Sequence, residues 1–147
     1  MAIRINFTKL NKNAIQPSHG SQWAAGYDLY SCSDCAFTIN PHETLKIGTG
    51  IAMEIPEGYF GAIYARSGIA TKRGLRPGNC TGVIDSDYRG EIVVAIHNDT
   101  NYPQIIEAGE RIAQIVIQPY LSVEFTETDK LSSTDRGAGG FGSTGTK

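Results

Sequence analysis

The chain has 147 residues, with 13 lysines and arginines against 15 aspartates and glutamates and a formal net charge of −2. This length predicts one domain with its own hydrophobic core, and the near balance of charge gives no overall field that would recruit nucleic acid or an acidic membrane. No apolar run approaches the roughly 20 residues of a membrane-spanning helix, and the first residues lack the apolar core of a signal peptide. We therefore expect an intracellular, cytoplasmic protein that has no direct nucleic-acid binding and no membrane contact.

Short runs in which apolar and polar residues alternate dominate the chain, a pattern typical of half-buried strands. They cover residues 3–7, 51–55, 92–97 and 123–125. A further run, residues 112–118, is apolar on both faces apart from Gln114, which predicts a central strand. Turn sequences rich in proline, glycine and asparagine separate the runs. The sequence therefore predicts an all-β fold, a distorted jelly-roll barrel or sandwich.

One short helix is predicted after residue 66. Ser67 has the side chain of a helix cap, Lys72 and Arg73 would lie in the last turn, and Gly74 would end the helix. After about Leu131 the composition changes to glycine, serine and threonine. We therefore predict a barrel core over residues 1–131 and a flexible, glycine-rich C-terminal arm over residues 132–147, within a single domain.

The arm combines five glycines with Arg136, Phe141 and the hydroxyl pair Ser143 and Thr144. Glycines let backbone N–H groups close on an anion, and arginine supplies a fixed fork of donors for phosphate. An aromatic ring between them can cover a planar base. This composition favours a mobile segment that closes over a nucleotide, and the alternative is a disordered tail.

The densest polar segment covers residues 78–91, where Gly82 and Gly90 bracket Asp85, Asp87 and Tyr88. As a hairpin, this segment would place both aspartates on one side. A carboxylate beside bound phosphates can take a proton from water, so the segment is a candidate for general-base chemistry. The alternative is an Asp-rich turn with a solvated face.

Three further segments contain polar residues, and each segment has two interpretations. Arg66 and Ser67 offer donors to phosphate at the start of the predicted helix, or they belong to a capped surface helix. Asp28 either meets a hydrated Mg²⁺ or is merely exposed. Gln114 lies among apolar neighbours and needs hydrogen-bond partners, which are either a ligand or backbone groups.

The cysteines do not form a recognisable site. Cys32 and Cys35 make a lone C-x-x-C, and Cys80 is the third cysteine. A zinc site usually needs a second pair, and a thioredoxin-type motif needs a βαβ context. We therefore expect free thiols.

Five segments, in order and spacing, closely resemble the five motifs of the trimeric dUTPase family. They are residues 25–31, 66–70, 78–92, 109–117 and 136–145, and together they span nearly the whole chain. The most specific are Ile-Asp-Ser-Asp-Tyr-Arg-Gly-Glu, which begins at Ile84, and Arg-Gly-Ala-Gly-Gly-Phe-Gly-Ser-Thr-Gly, which begins at Arg136. Ala65 stands where the second motif of the family usually begins with proline, a departure that we expect to have a minor effect.

The resemblance implies hydrolysis of dUTP to dUMP and pyrophosphate with Mg²⁺, which limits uracil incorporation into DNA and supplies dUMP for dTTP synthesis. Asp85 would be the general base that activates water to attack the α-phosphorus. Asp28 would reach Mg²⁺ through a metal-bound water. The residues that would hold the phosphate chain are Arg66, Ser67, Gly68, Gln114, Arg136, Gly142 and Ser143.

The same resemblance places base and sugar selection in residues 79–88. Backbone groups there would match the pairing edge of uracil and leave cytosine with unpaired polar atoms. The residues that would contact the base are Asn79, Gly82, Val83 and Ile84. Tyr88 would lie flat on the deoxyribose and exclude a ribose 2′-hydroxyl, and Phe141 would stack on uracil as the arm closes.

The family is a homotrimer with three sites at subunit interfaces, so the resemblance implies that the arm of one subunit closes a site built by the others. The nearest rival is a dCTP deaminase of the same fold, for which ammonia release would be diagnostic. A second rival is a non-catalytic nucleotide-binding or regulatory module, and a third is a small-ligand β-sandwich with a disordered tail. Residues 84–88 and the arm with Phe141 favour dUTP hydrolysis.

Overall fold

The computed structural model describes residues 3–141, which contain eleven strands and one short helix. The elements, in chain order, are β1 Asn6–Lys9, β2 Tyr27–Tyr30, β3 Phe37–Ile39, β4 Thr44–Gly48, β5 Ile51–Glu54, β6 Tyr59–Tyr64, α1 Ser67–Arg73, β7 Leu75–Pro77, β8 Gly82–Ile84, β9 Val93–Asn98, β10 Gln104–Ile106 and β11 Arg111–Pro119. The helix has seven residues, and no helix in residues 3–141 is long and apolar enough to cross a membrane.

The strands form a jelly-roll-like all-β fold, as predicted. A four-stranded sheet has the order β2-β11-β6-β8, and a three-stranded sheet has the order β4-β9-β7. Two smaller pairs, β1 with β5 and β3 with β10, complete the architecture, and every one of these pairings is antiparallel. Strand β11 lies between β2 and β6, which confirms the prediction of a central strand over residues 112–118.

The core lies between these sheets and is filled mainly by isoleucine. Along β9 the side chains alternate, so that Val94, Ile96 and Asn98 are buried while Val93 is exposed. The Asn98 amide is fully buried, and it donates to the carbonyls of Ile39 at 3.0 Å and Tyr102 at 2.8 Å. A buried amide with its hydrogen bonds satisfied fixes the loops around it without the cost of an unpaired polar group.

The predicted helix is present, but its start differs from the prediction. Ser67 is the first helical residue and not the cap; its carbonyl accepts a hydrogen bond from the Thr71 hydroxyl at 2.7 Å. The capping position belongs to Arg66, which makes no side-chain cap bond. Gly74 ends the helix in the left-handed conformation, with φ of 61°, as glycine does most readily.

The prediction of a strand over residues 123–125 is wrong. Val123 is 66% exposed and Phe125 is 94% exposed, and the residues from 120 to 141 form no helix or strand. Alternation marks a half-buried strand only where the segment pairs with a sheet edge, and within residues 3–141 this segment pairs with none. The division into a core over residues 1–131 and an arm over residues 132–147 remains a prediction.

Candidate functional site

A first group of polar residues surrounds the buried carboxylate of Asp28 on β2. Asp28 is only 8% exposed, and its Oδ1 accepts a hydrogen bond from Nε of Arg66 at 2.7 Å. Its Oδ2 accepts one from Nη1 of Arg111 at 3.3 Å. Two guanidinium groups therefore compensate the burial of one carboxylate. Asp28 is thus not merely exposed, and Arg111 is a polar neighbour that the sequence analysis did not single out, although it lies in the fourth motif-like segment.

Gln114 on β11 faces the same group. It lies opposite Asp28 on β2 and Tyr64 on β6, and its side-chain amide donates to the carbonyl of Ala65 at 2.9 Å. The sequence analysis left a ligand and backbone groups as alternative partners for this amide, and the observed partner is a backbone carbonyl. A Cβ on Gly26 would lie 2.2 Å from Oε1 of Gln114, so glycine at that position leaves room for the amide. Gln114 thereby fixes the chain immediately before Arg66.

Ser67 and Gly68 follow at the surface, at the start of α1. Both residues are exposed, and a Cβ built on Gly68 would meet no atom within 4 Å. We name the residues around Asp28, that is Asp28, Arg66, Ser67, Gly68, Arg111 and Gln114, the phosphate-side group. Its cations and amide donors are the groups that bind phosphate in proteins.

A second group lies on β8 and the turn after it. Gly82, Val83 and Ile84 pair with β6, and the chain then turns, with the N–H of Tyr88 donating to the carbonyl of Asp85 at 3.2 Å. The predicted hairpin is therefore wrong, because β8 pairs with β6 while the next strand, β9, pairs with β4 and β7. The absence of a side chain on Gly82 allows this pairing, since a Cβ there would lie 3.1 Å from Cβ of Ile63. We name residues 79–88 the base-side group.

Asp85 is exposed at the junction of two clefts. The larger has a volume of about 870 Å³ and is lined by Asp85 together with Ser86 and Asp87. The smaller has about 170 Å³ and is lined by Asp85 and Tyr88. The two aspartates share the larger cleft, so they do lie on a common side even though the hairpin is absent.

Two residues that the sequence analysis did not assign fix this turn. Nη1 of Arg89 donates to the carbonyl of Ser86 at 2.7 Å, and the hydroxyl of Tyr88 donates to the carbonyl of Glu91 at 2.9 Å. The Glu91 carboxylate in turn accepts the N–H of Gly50 at 2.7 Å. Asn79 lies just before β8 in an exposed turn, where its carbonyl accepts the N–H of Thr81 at 2.7 Å. The arginine and glutamate are adjacent to the predicted residues in the third motif-like segment, which was the available signal.

The two groups lie at opposite corners of the four-stranded sheet. Ile84 is paired with Gly61 of β6, whereas Gln114 and Asp28 are aligned with Tyr64, three residues further along the same strand. That offset is roughly 10 Å along the strands, and three strand spacings add roughly 14 Å across them. Within one chain, Asp85 and Asp28 therefore do not face a common small ligand.

The described part of the predicted arm is largely exposed, and its hydrogen bonds lie within the arm itself. Nε of Arg136 donates to the carbonyl of Gly139 at 2.8 Å, and Phe141 is fully exposed. Among residues 3–141, no hydrogen bond or ion pair joins the arm to the phosphate-side or base-side group. Gly142 and Ser143, also predicted to bind the phosphate chain, lie outside the described residues.

The thiols are free and no protein metal cage is present in the described part of the chain. Burial, followed by the nearby Glu91 carboxylate at 3.9 Å, raises the pKa of the Cys32 thiol, while Cys35 and Cys80 are exposed. Residues 3–141 contain no cluster of three or more His, Cys, Asp or Glu side chains able to hold a metal ion.

Comparison with known proteins identifies the family. The dUTPase family model matches residues 12–145. The deoxyuridine 5′-triphosphate nucleotidohydrolase of a Hydrogenobaculum species is 50% identical over 139 residues, covering 95% of this chain and 96% of the relative. That of Desulfitobacterium hafniense is 46% identical over 144 residues, covering 97% and 95%. A variant of the Staphylococcus bacteriophage 80alpha dUTPase, solved with dUpNHpp, superposes with a TM-score of 0.89 at 32% identity, covering 98% of this chain and 99% of that one. This chain therefore belongs to the dUTPase family of hydrolases.

Proposed function

We propose that this dUTPase hydrolyses dUTP to dUMP and pyrophosphate at a site that two copies of the chain build together, one supplying the phosphate-side group and the other the base-side group. The observation that carries the proposal is the separation of these groups within one chain. The phosphate-side group has the phosphate-binding side chains, and the base-side group has the general base and the contacts to uracil. Within one chain the two groups are separated by roughly 10 Å along the strands and roughly 14 Å across them, which is too far for one copy to form a single pocket. The resulting dUMP would serve dTTP synthesis, and removal of dUTP would limit uracil in DNA.

Asp85 acts as the general base in this proposal. Its carboxylate is exposed beside two clefts and makes no ion pair within residues 3–141. It takes a proton from water, and the water oxygen forms a bond to the α-phosphorus. The bond from the α-phosphorus to the bridging oxygen breaks, and pyrophosphate leaves with the electron pair. The turn held by Arg89 keeps the carboxylate at the end of β8.

The phosphate-side group binds the triphosphate. Arg66, Ser67 and Gly68 contact the α- and β-phosphates, and Gln114 supports them by holding Ala65 in place. The dUTPase family generally uses a divalent metal, and we propose Mg²⁺ here. The donor set fits this ion, because Mg²⁺ keeps several waters and takes its remaining ligands from phosphates, so that Asp28 needs to reach it only through water. When bound, Mg²⁺ neutralises charge on the phosphate oxygens.

The base-side group selects uracil and deoxyribose. Backbone groups of Asn79 and of β8 present donors and acceptors to the pairing edge of uracil, and cytosine would leave some of them unpaired. Tyr88 is 45% exposed and its hydroxyl is held by Glu91, so one face of its ring is available to the sugar. Val83, on β8, is 59% exposed and offers apolar contact to the base.

The whole assembly is proposed to be a homotrimer, the usual state of dUTPases. Exposed apolar side chains support association of copies. Leu121, Val123, Phe125 and Leu131 are all more than 60% exposed, and a groove of about 500 Å³ is lined by Ile3, Ile5, Phe7, Tyr27 and Met53 among others. These exposed apolar side chains are candidates for burial between copies of the chain. The arm, with Arg136, Phe141, Gly142 and Ser143, would close each site over the γ-phosphate and the base.

The proposed activity is tested by pyrophosphate release from dUTP, dCTP, dTTP and UTP, each with Mg²⁺. We expect release from dUTP at a kcat/KM at least about a hundredfold above the other three, the scale at which unpaired polar groups discriminate. Ammonia release from dCTP would establish the deaminase instead. Nucleotide binding without either product would establish a regulatory module.

A further inference from the structure

The helix that carries Ser67 and Gly68 is held at both ends by arginine. It has seven residues, about 10 Å of length, and Ile69 is its one buried side chain among those described. A helix this short does not hold itself in place and depends on tertiary contacts. At its start, Arg66 is bound to Asp28. Its orientation must therefore also depend on what holds the other end.

At the other end, Arg73 uses all three of its guanidinium nitrogens. Nε donates to Oε1 of Gln104 at 3.3 Å, Nη1 donates to the carboxylate of Glu110, and Nη2 donates to the carbonyl of Ile105. All three acceptors lie on β10 or on the loop between β10 and β11. Such a fork fixes orientation as well as distance, which a lysine ammonium would not do.

Glu110 is itself held in place and leads back to the site. Its Oε2 accepts the N–H of Glu107 at 2.8 Å, and its carbonyl accepts the N–H of Ser31 at 2.8 Å. The next residue, Arg111, contacts Asp28, which is the residue bound by Arg66. The contacts therefore close a ring that runs from one end of α1 to the other through the start of β11.

We propose that Arg73 is a positioning residue for triphosphate binding: through Glu110 and the β10–β11 loop it sets the angle of α1, and so presents Arg66 and Ser67 to the phosphates. This inference rests on the proposed function, in which those two residues bind the α- and β-phosphates. The side chains of Arg73 and Glu110 are 30% and 23% exposed, so the pair is partly shielded from water and can stabilise the fold as well as orient the helix. The test of positioning must therefore use a measurement that a general loss of stability would not change.

The test compares a ligand that has phosphates with one that has none. In Arg73→Gln, the dissociation constant of dUpNHpp, measured with Mg²⁺ by calorimetry, should rise about tenfold, the scale of one charged hydrogen bond. The inhibition constant of deoxyuridine, which has base and sugar but no phosphate, should stay within about twofold. The ratio of the two constants is the decisive quantity, because general loosening of the protein would raise both together.

Three controls complete the experiment. Arg76→Gln removes an arginine bound to Asp99 at 2.7 and 3.0 Å, and it should leave that ratio unchanged. Arg73→Lys keeps the charge but cannot donate to Gln104, Glu110 and Ile105 together, so it should recover only part of the affinity for dUpNHpp that Arg73→Gln loses. In an Arg66→Ala and Ser67→Ala background, Arg73→Gln should have little further effect, because the groups it positions are absent.

The outcomes separate the two proposals. If Arg66→Ala and Ser67→Ala together leave dUpNHpp binding unchanged, the phosphate-binding assignment in the proposed function is wrong, and the role of Arg73 fails with it. If they weaken binding while Arg73→Gln leaves the ratio unchanged or raises both constants equally, only the positioning role of Arg73 is overturned.

Discussion

Arg66 donates from Nε to Oδ1 of Asp28 at 2.7 Å, so the cation proposed to bind phosphate and the carboxylate proposed to reach the metal are paired with each other in the protein alone. Arg111 contacts the other oxygen of the same carboxylate. A magnesium nucleotide would bring both a new anion for Arg66 and a new cation for Asp28. In the proposed function, the pair would keep two opposite charges oriented and compensated until substrate supplies a partner for each.

The role of Asp85 is tested by Asp85→Asn, which keeps the shape of the side chain and removes its basicity. We expect kcat for dUTP to fall at least about a hundredfold, the usual contribution of a positioned base. Binding of dUpNHpp should persist, because no phosphate or uracil contact is assigned to this side chain. Steady-state kinetics with a binding titration make the comparison. Asp87→Asn, on the same turn and cleft, is the matched control, and near-normal turnover by the Asp85 variant would show that another group is the base.

The role of Tyr88 in sugar selection is tested by Tyr88→Ala. Without the ring, a ribose 2′-hydroxyl no longer meets a steric barrier, so the preference for dUTP over UTP in kcat/KM should shrink by about tenfold or more. Tyr88→Phe keeps the ring and loses only the hydrogen bond to Glu91, and it should retain most of the preference. An unchanged preference in the alanine variant would place sugar selection elsewhere.

The arm is expected to serve catalysis and to add little stability. Its described residues are almost all exposed and form no hydrogen bond or ion pair with either half of the site. Truncation after Asp135 should therefore leave the melting temperature and the oligomer mass almost unchanged while activity collapses, since phosphate donors and the ring of Phe141 are lost. Phe141→Ala keeps the donors and should be less damaging. Full activity of the truncated chain would show that the arm is only a tail.

A pH effect on stability is expected from an ion pair outside the site. The hydrogen bond from Arg76, together with its positive charge, lowers the pKa of Asp99 below its ordinary value. The same hydrogen bond raises the pKa of Arg76. A carboxyl group whose pKa is lower in the folded state stabilises the fold above its unfolded pKa, about 3.9, and that contribution disappears as pH falls through the folded value. Urea unfolding from pH 6 to pH 2 should thus show a smaller acid loss for Asp99→Asn than for the unaltered chain. If the free energy of unfolding falls with pH by the same amount in the two proteins, this ion pair does not contribute to the acid loss of stability.

The elements that the sequence predicted correctly are those determined by their own residues. Strand β11 shows its position in the middle of a sheet by being apolar on both faces, and Gly74 ends the helix because it adopts a left-handed backbone at no steric cost. The residues of the second and third motif-like segments were assigned from the sequence alone, and their roles remain predictions. Their chemistry is carried by residue type and local order.

The errors arose where the deciding partner is distant in sequence. Ser67 was expected to cap α1, but Arg66 takes the capping position and turns its side chain to Asp28, 38 residues away. The hairpin failed because β8 pairs with β6 and not with the strand that follows it. Arg73 was expected only to lie in the last turn of the helix, and Arg111 was not singled out, because their acceptors are separated from them by long stretches of chain.

Complementation between two inactive variants shows whether one site takes its two halves from different copies of the chain. Asp85→Asn chains and chains carrying Arg66→Ala with Ser67→Ala, each inactive alone, are coexpressed with different tags, and the hybrid trimers are isolated through both tags. In a closed ring of three, each hybrid has one interface where an intact phosphate-side group meets an intact base-side group, so dUTP hydrolysis should recover to about a third of the unaltered rate. If each chain built its whole site alone, every site in the hybrids would carry a defect. Hybrid activity no higher than that of the two parent variants would therefore show that the phosphate-side and base-side groups do not combine across two copies.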